Sequence, residues 1–184
     1  LVQRGKYKGM KILVTSAGGP AAIGVMKSLQ NFDGGKNNHS IIATDITELS
    51  AGFLWADKGF IVPRADDINY LYEIKKIILD EKIDVILPTG NLEIDKFESL
   101  SNMTNVFMSD SKTIKLCNDK WEFYNKVKDD FDIPYTWQDN DIKWNGCFAR
   151  PRYELGGSRG TLHCKDIHQY MSTYNSDVEY NYSE

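Results

Sequence analysis

Five short apolar runs, each closed by small or polar residues and separated by stretches long enough for a helix or a crossover, dominate the first two thirds of this chain. They are "KILVTS" (11–16), "SIIATD" (40–45), "GFIVP" (59–63), "DVILPT" (84–89) and "NVFMSD" (105–110). Runs of this length, rich in β-branched residues, predict strands. Between them Ala22, Val25, Met26 and Leu29 fall at helical spacing, as do Ile68, Leu71, Ile74 and Ile78 behind the acidic pair Asp66 and Asp67. Near-continuously apolar strands alternating with helices imply a parallel sheet covered on both faces. The expectation is a doubly wound, Rossmann-like α/β domain with its ligands at the carboxyl ends of the strands.

From about residue 115 the pattern changes. "NDKWEFYNKVKDDF" (118–131) predicts a helix, stopped by Pro134, after which Tyr135 to Trp137 start a strand. There follow "GCFARP", a glycine loop within "ARPRYELGGSRG" (149–160), "GTLHC", a short helix "DIHQYMSTY" and a strand-like "VEYNYSE". Two strands flanking a glycine-rich loop predict an antiparallel hairpin with a long turn, an α+β arrangement unlike the first domain. The chain is therefore divided into residues 1–9, read as tag or upstream sequence before Met10, a first domain over 10–114 and a second over 115–184.

Composition narrows the class of function. A chain of 184 residues, 41% hydrophobic, can bury a substantial core. Its formal net charge of −4 argues against nucleic acid as a partner, which would call for a basic face. No apolar run approaches the roughly 20 residues of a membrane span, and "LVQRGKYKG" lacks the apolar core of a signal peptide. Cys117, Cys147 and Cys164 form no CxxC pair, and His39, His163 and His168 have no metal-ligand spacing. A cytoplasmic protein without a membrane partner is the expectation; a homodimer is kept open.

Two glycine runs carry candidate chemistry. "TSAGGPAAIG" follows the first strand and opens the first helix, where glycines permit close backbone approach and a helix start offers N–H groups to an anion. The spacing of Gly18, Gly19 and Gly24 is not the G-x-G-x-x-G of a dinucleotide fingerprint. Asp45, at the end of the second strand, suits either a ribose or the cap of the next turn. Tyr72 with Lys76 and Tyr124 with Lys128 are read as surface helix pairs rather than a reductase site. In the second run, Arg150 projects from a strand where a fixed cation would hold a phosphate, and Gly156, Gly157, Ser158 and Gly160 would fold over it with backbone donors. The alternative is a plain hairpin turn beside a solvated arginine.

The order of these parts, with "ILVTSAGGPAAIG", "SAGFLWADKGFIVP", "VILPTGNLE", "SDSKTIKLCNDKWEFY" and "ARPRYELGGSRG", resembles the ATP-grasp superfamily, in particular the carbamoyl phosphate synthetase large-chain type, over residues 10–184. The resemblance implies that the first domain is the Rossmann-like preATP-grasp domain and that 115–184 is the first part of the ATP-grasp domain. It implies that Lys120 and Arg150 are ATP-contacting cations, that Gly156, Gly157, Ser158 and Gly160 form a lid over ATP, and that Gly18, Gly19 and Glu93 lie in loops on the acceptor side. A helix-start acid is the competing reading of Glu93. The chemistry implied is phosphorylation of a carboxylate or bicarbonate by ATP with Mg²⁺, followed by attack of an amine. The family's magnesium-binding Glu and Asn residues are expected beyond Glu184, so the chain by itself reads as an incomplete and inactive portion. An NAD(P)-dependent oxidoreductase and a non-catalytic nucleotide-sensing module are the alternatives; the former leaves 115–184 without a role.

Overall fold

The computed structural model describes residues 9–31, 39–138, 146–153, 160–165 and 180–183, in two units, Leu1–Ser109 and Asp110–Glu184. The first unit runs β1 (Lys11–Val14), α1 (Pro20–Asn31), β2 (Ser40–Asp45), a 3-10 turn (Ala51–Trp55), β3 (Lys58–Ile61), α2 (Tyr70–Glu81), β4 (Val85–Leu87), a second 3-10 segment (Ile94–Leu100) and β5 (Asn105–Val106). All strand pairs are parallel, in the order β3-β2-β1-β4-β5. The five expected strands are all present: β2 with its expected bounds, β1, β4 and β5 shorter, and β3 starting one residue earlier and ending two earlier.

The apolar runs of β1 and β2 supply both layers of the core, because successive side chains leave a strand on opposite faces. Leu13 and Ile42 enter one cluster with Tyr70, Ile74, Ile78, Ile86 and Phe97. Ile12, Val14, Ile41 and Ala43 enter the other with Ala22 and Met26 of α1. Burying an aliphatic or aromatic side chain of this size contributes about 1.5–3 kcal/mol, so the two clusters hold helices to both sheet faces. The stripe expected to begin at Ile68 begins instead at Tyr70. Asn69 is the residue before the helix, and Ile68 lies outside it and is 94% exposed. The buried face of α2 is Tyr70, Ile74, Ile77 and Ile78.

The second unit consists of α3 (Ser111–Asn118), α4 (Lys120–Val127), β6 (Thr136–Trp137), β7 (Cys147–Pro151), β8 (Leu162–Cys164) and β9 (Tyr180–Ser183). Its sheet has the order β6-β9-β7-β8, with antiparallel pairs throughout. The expected hairpin is β7–β8, in register Cys147↔Cys164 and Ala149↔Leu162, and β9 lies on the other side of β7. The helix expected over 118–131 is shorter and has a predecessor. Asp110 caps α3 by accepting from Lys112 and Thr113 N–H, so residues 110–114 group with the second unit. Asp119 is extended and caps α4 through Trp121 and Glu122 N–H, which interrupts the helical run.

Candidate functional site

In an open parallel sheet the chain leaves adjacent strands in opposite directions at one point, and the loops there separate to leave a crevice. That point lies between β1 and β4. Thr15 to Gly19 follow β1, Pro88 to Glu93 follow β4, and Glu93 joins the two loops. Its carboxyl accepts hydrogen bonds from Thr15 Oγ1, from Ser16 Oγ at 3.1 Å, from Gly90 N–H at 3.0 Å and from the Tyr70 hydroxyl. Glu93 is 4% exposed. It precedes the 3-10 segment but makes no side-chain cap bond there, so its donors come from the interior rather than from a helix start.

This cluster constrains its neighbours. A Cβ on Gly90 would sit 2.3 Å from Ser16 Oγ and 2.8 Å from Glu93 Oε1, so only glycine lets the loop close around the carboxyl. Ser16 holds a left-handed backbone, φ 52°, a conformation that costs about 1 kcal/mol or more outside glycine; its bond to Glu93 opposes that cost. Burial, and then the Glu93 carboxyl beside it, push the Tyr70 hydroxyl far above the usual phenol range. Tyr70 is therefore a donor throughout the physiological range.

The N-terminal glycines are engaged within the protein. Gly18 N–H donates to Asp45 Oδ2 at 2.6 Å, and Gly19 N–H donates to the Ser16 carbonyl at 3.0 Å. Asp45 also accepts from Ser50 Oγ at 3.1 Å and Ile46 N–H at 2.6 Å. Asp45 thus caps the turn after β2, one of its two sequence readings. Gly52 matters as well: a Cβ there would lie 1.9 Å from the Ala17 carbonyl oxygen, so the turn after β2 presses directly on the β1–α1 loop.

In the second unit, β7 alternates between buried and exposed side chains. Cys147, Ala149 and Pro151 are buried, while Phe148 and Arg150 are exposed. Residues paired across an antiparallel ladder share a face, so Arg150 shares its face with Asn181, and Phe148 with His163 and Ser183. The Phe148 and His163 rings are 4.8 Å apart, centroid to centroid. Asn181 is 1% exposed; its Oδ1 accepts from Gln138 Nε2 at 2.9 Å, but its Nδ2 is buried without a hydrogen-bond partner. On the core side, burial and then Cys164 push the Cys147 thiol up.

Lys120 is the first residue of α4 and is half-buried. Its N–H donates to the Arg152 carbonyl at 3.1 Å. Ahead of it, Asp119 binds the Arg152 guanidinium in bidentate fashion, with Nε 2.9 Å from Oδ1 and Nη2 2.7 Å from Oδ2. This ion pair was not anticipated. The one signal for it in the sequence is the Asp119…Glu122 spacing of a helix cap; the arginine lies too far along the chain to be read with it. Gly160 has φ 76° and is exposed. Gly156, Gly157 and Ser158, the rest of the expected lid, lie outside the described residues, as do His168 and the short helix expected around it. Tyr124 and Lys128 form a surface pair, with Nζ 5.7 Å from the ring centroid. No helix among the described residues is long and apolar enough to cross a membrane.

Comparison with known proteins adds the lineage. N5-carboxyaminoimidazole synthetase from Staphylococcus aureus, complexed with ADP, matches with a TM-score of 0.68 at 14% identity, over 96% of this chain and 47% of that one. The biotin carboxylase domain of the Hydrogenobacter thermophilus 2-oxoglutarate carboxylase matches with a TM-score of 0.64 at 16% identity, over 96% and 44%. An L-amino acid ligase from Bacillus licheniformis matches with a TM-score of 0.66 at 7% identity, over 97% and 44%. The chain thus spans somewhat under half the length of these structures, and identities this low speak for a shared fold. No curated protein matches. The parallel sheet followed by a small antiparallel sheet is the ATP-grasp arrangement expected from the sequence, with the first unit as its preATP-grasp domain. A family model described as PylC-like, N-terminal domain, matches residues 12–111, more than half of the chain, and the chain belongs to that family.

Proposed function

We propose that this chain is part of an ATP-dependent carboxylate–amine ligase of the ATP-grasp type, in which Lys120 and Arg150 hold the phosphates of ATP. The observation that carries the reading is the face of the second sheet that Arg150 shares with Asn181. It presents an exposed cation, Arg150, beside a buried amide N–H of Asn181 that has no acceptor. Leaving such a donor unmatched costs about 1–3 kcal/mol, and an oxygen of a bound nucleotide would satisfy it. The neighbouring Phe148 and His163 rings give the same face an aromatic surface of the kind on which nucleobases stack.

When bound, ATP would supply the phosphoryl group that activates a carboxylate for attack by an amine. The part of this chain's own residues is electrostatic: Lys120 and Arg150 would meet the phosphate charge with fixed cations, which need no reorganisation as charge moves. Gly160, together with Gly156, Gly157 and Ser158, would cover the phosphates. On the acceptor side, Glu93 would act by holding Ser16 and Gly90 in place, and Gly18 and Gly19 by shaping the loop after β1. No group of three or more His, Cys, Asp or Glu among the described residues is arranged to hold a metal. No step is assigned to the magnesium ion.

The NAD(P) reading would explain the first unit but gives the second none of its features a role. The test is ADP release by the full-length protein across a panel of carboxylates, bicarbonate included, and amines. We expect release that depends on both partners, and Arg150→Ala should lower kcat/KM by at least about tenfold, the scale of one charge-assisted contact. ATP binding without release under any pairing would remove the ligase reading and favour a nucleotide sensor.

A further inference from the structure

We infer that Asp119 and Arg152 form a positioning pair that sets Lys120 against Arg150; the inference rests on the ATP site proposed above. Asp119 immediately precedes Lys120, and Arg152 lies just past Arg150 at the end of β7. The pair joins two elements that are distant in sequence. Arg152 Nε lies 2.9 Å from Asp119 Oδ1 and 3.1 Å from Oδ2, and Nη2 lies 2.7 Å from Oδ2. The main chains are joined at the same place, through Lys120 N–H to the Arg152 carbonyl at 3.1 Å and an antiparallel bridge between Asp119 and Tyr153.

Several features separate this pair from an ordinary surface ion pair. Asp119 is 9% exposed, so solvent screens the contact less than it would on an open surface. The guanidinium engages both carboxylate oxygens, which fixes direction as well as distance. Asp119 Oδ1 also accepts from Trp121 and Glu122 N–H, both at 3.1 Å. One carboxylate therefore sets the first turn of α4 and the segment after β7 together. Glu122 lies 3.8 Å from the same guanidinium, which adds a second negative charge beside it. A cation on a helix start and a cation on a strand would otherwise vary independently, and small misplacements of contact groups carry large costs in rate and affinity.

The experiment uses the full-length protein and compares ATP with adenosine by equilibrium binding at a temperature where every variant is folded. Asp119→Asn keeps a good helix cap but removes the charge that Arg152 grips. We expect its ATP affinity to fall on the order of tenfold while adenosine binds as in the unaltered protein. Arg152→Gln should give the same ratio, and the double variant should lose no more than either single one, because the two act as a unit. Should Asp119→Asn fail to fold, Arg152→Lys carries the test, since it keeps the charge and loses the bidentate grip. Arg150→Ala is measured in parallel. If it weakens ATP while Asp119→Asn and Arg152→Lys leave the ratio of ATP to adenosine affinity unchanged, the positioning pair is overturned and the ATP site stands. If Arg150→Ala itself leaves ATP binding unchanged, both fall.

Discussion

The Tyr70 hydroxyl donates to Glu93 Oε2 inside the first unit, with both residues buried, so the start of α2 is bonded to the loop that follows β4. Thr15 and Ser16 reach the same carboxyl from the end of β1. Three parts of the chain are therefore held at the point where the sheet reverses its direction of winding.

Tyr70→Phe should leave that carboxyl short of one donor and cost about 1–3 kcal/mol, measured as a shift in the urea midpoint at unchanged m-value. The Tyr70 value is raised in the folded protein, so its contribution is complete below the ordinary phenol range near 10 and is lost as the pH rises beyond it. The gap between Tyr70→Phe and the unaltered protein should stay constant from pH 6 to 9 and narrow only in stronger alkali. A gap that closes by pH 8 would mean that the hydroxyl is not the buried donor described here.

Two glycines should respond in opposite directions to the same change. Gly52→Ala places a methyl 1.9 Å from the Ala17 carbonyl, where backbone itself must move, whereas a methyl at Gly24 meets nothing within 4 Å. Gly52→Ala should cost at least about 2 kcal/mol through forced displacement. Gly24→Ala, inside α1 and exposed, should add roughly 0.5–1 kcal/mol through helix propensity. Thermal unfolding of the two variants checks both, and a destabilising Gly24→Ala would indicate a close approach to that position.

The Asp119–Arg152 pair should show itself in the acid limb of stability. The Arg152 guanidinium, and after it the backbone N–H groups at the start of α4, hold the Asp119 carboxyl below its usual range. A lowered value contributes stability above the ordinary carboxylate range, near 3.9, and loses it as the pH falls through the lowered value. Asp119→Asn should therefore be less stable than the unaltered protein by a constant amount from pH 5 to 8, and the two should converge in stronger acid. Denaturant midpoints across that range measure the difference; equal midpoints at pH 7 would mean that the pair adds nothing to folding.

The first sheet was legible because its strands are nearly unbroken β-branched runs, whose period needs no partner to be read. Ile68 was misread for a related reason. It stands at helical spacing with Leu71, but the helix begins only at Tyr70, and spacing carries no information about where a backbone turns. The helix read to begin at Asn118 left out α3, which Asp110 caps, and α4 begins only after Asp119, whose carboxylate also binds an arginine on another element. Glu93 was read as a loop acid or a helix-start acid, since nothing local announces that Tyr70 and Thr15 converge on it. Distant side chains that meet were thus the part hidden from the sequence, in both units.

The strand order of the second sheet has a consequence for the chain as it is made. β9 is the last strand in sequence, yet it lies between β6 and β7 and pairs with both. A ribosome delivers residues from the amino end, so the β7–β8 hairpin emerges with one edge of β7 unpaired, and β6 emerges with no partner in this sheet. Those exposed edges are templates for pairing with other chains until Tyr180 to Ser183 arrive. In the first unit β1 likewise keeps one edge open until β4 arrives, but that sheet is complete by residue 106. A nascent chain stalled between the two units would carry a finished domain, and one stalled a little before Tyr180 would carry an open sheet, the form most in need of a chaperone.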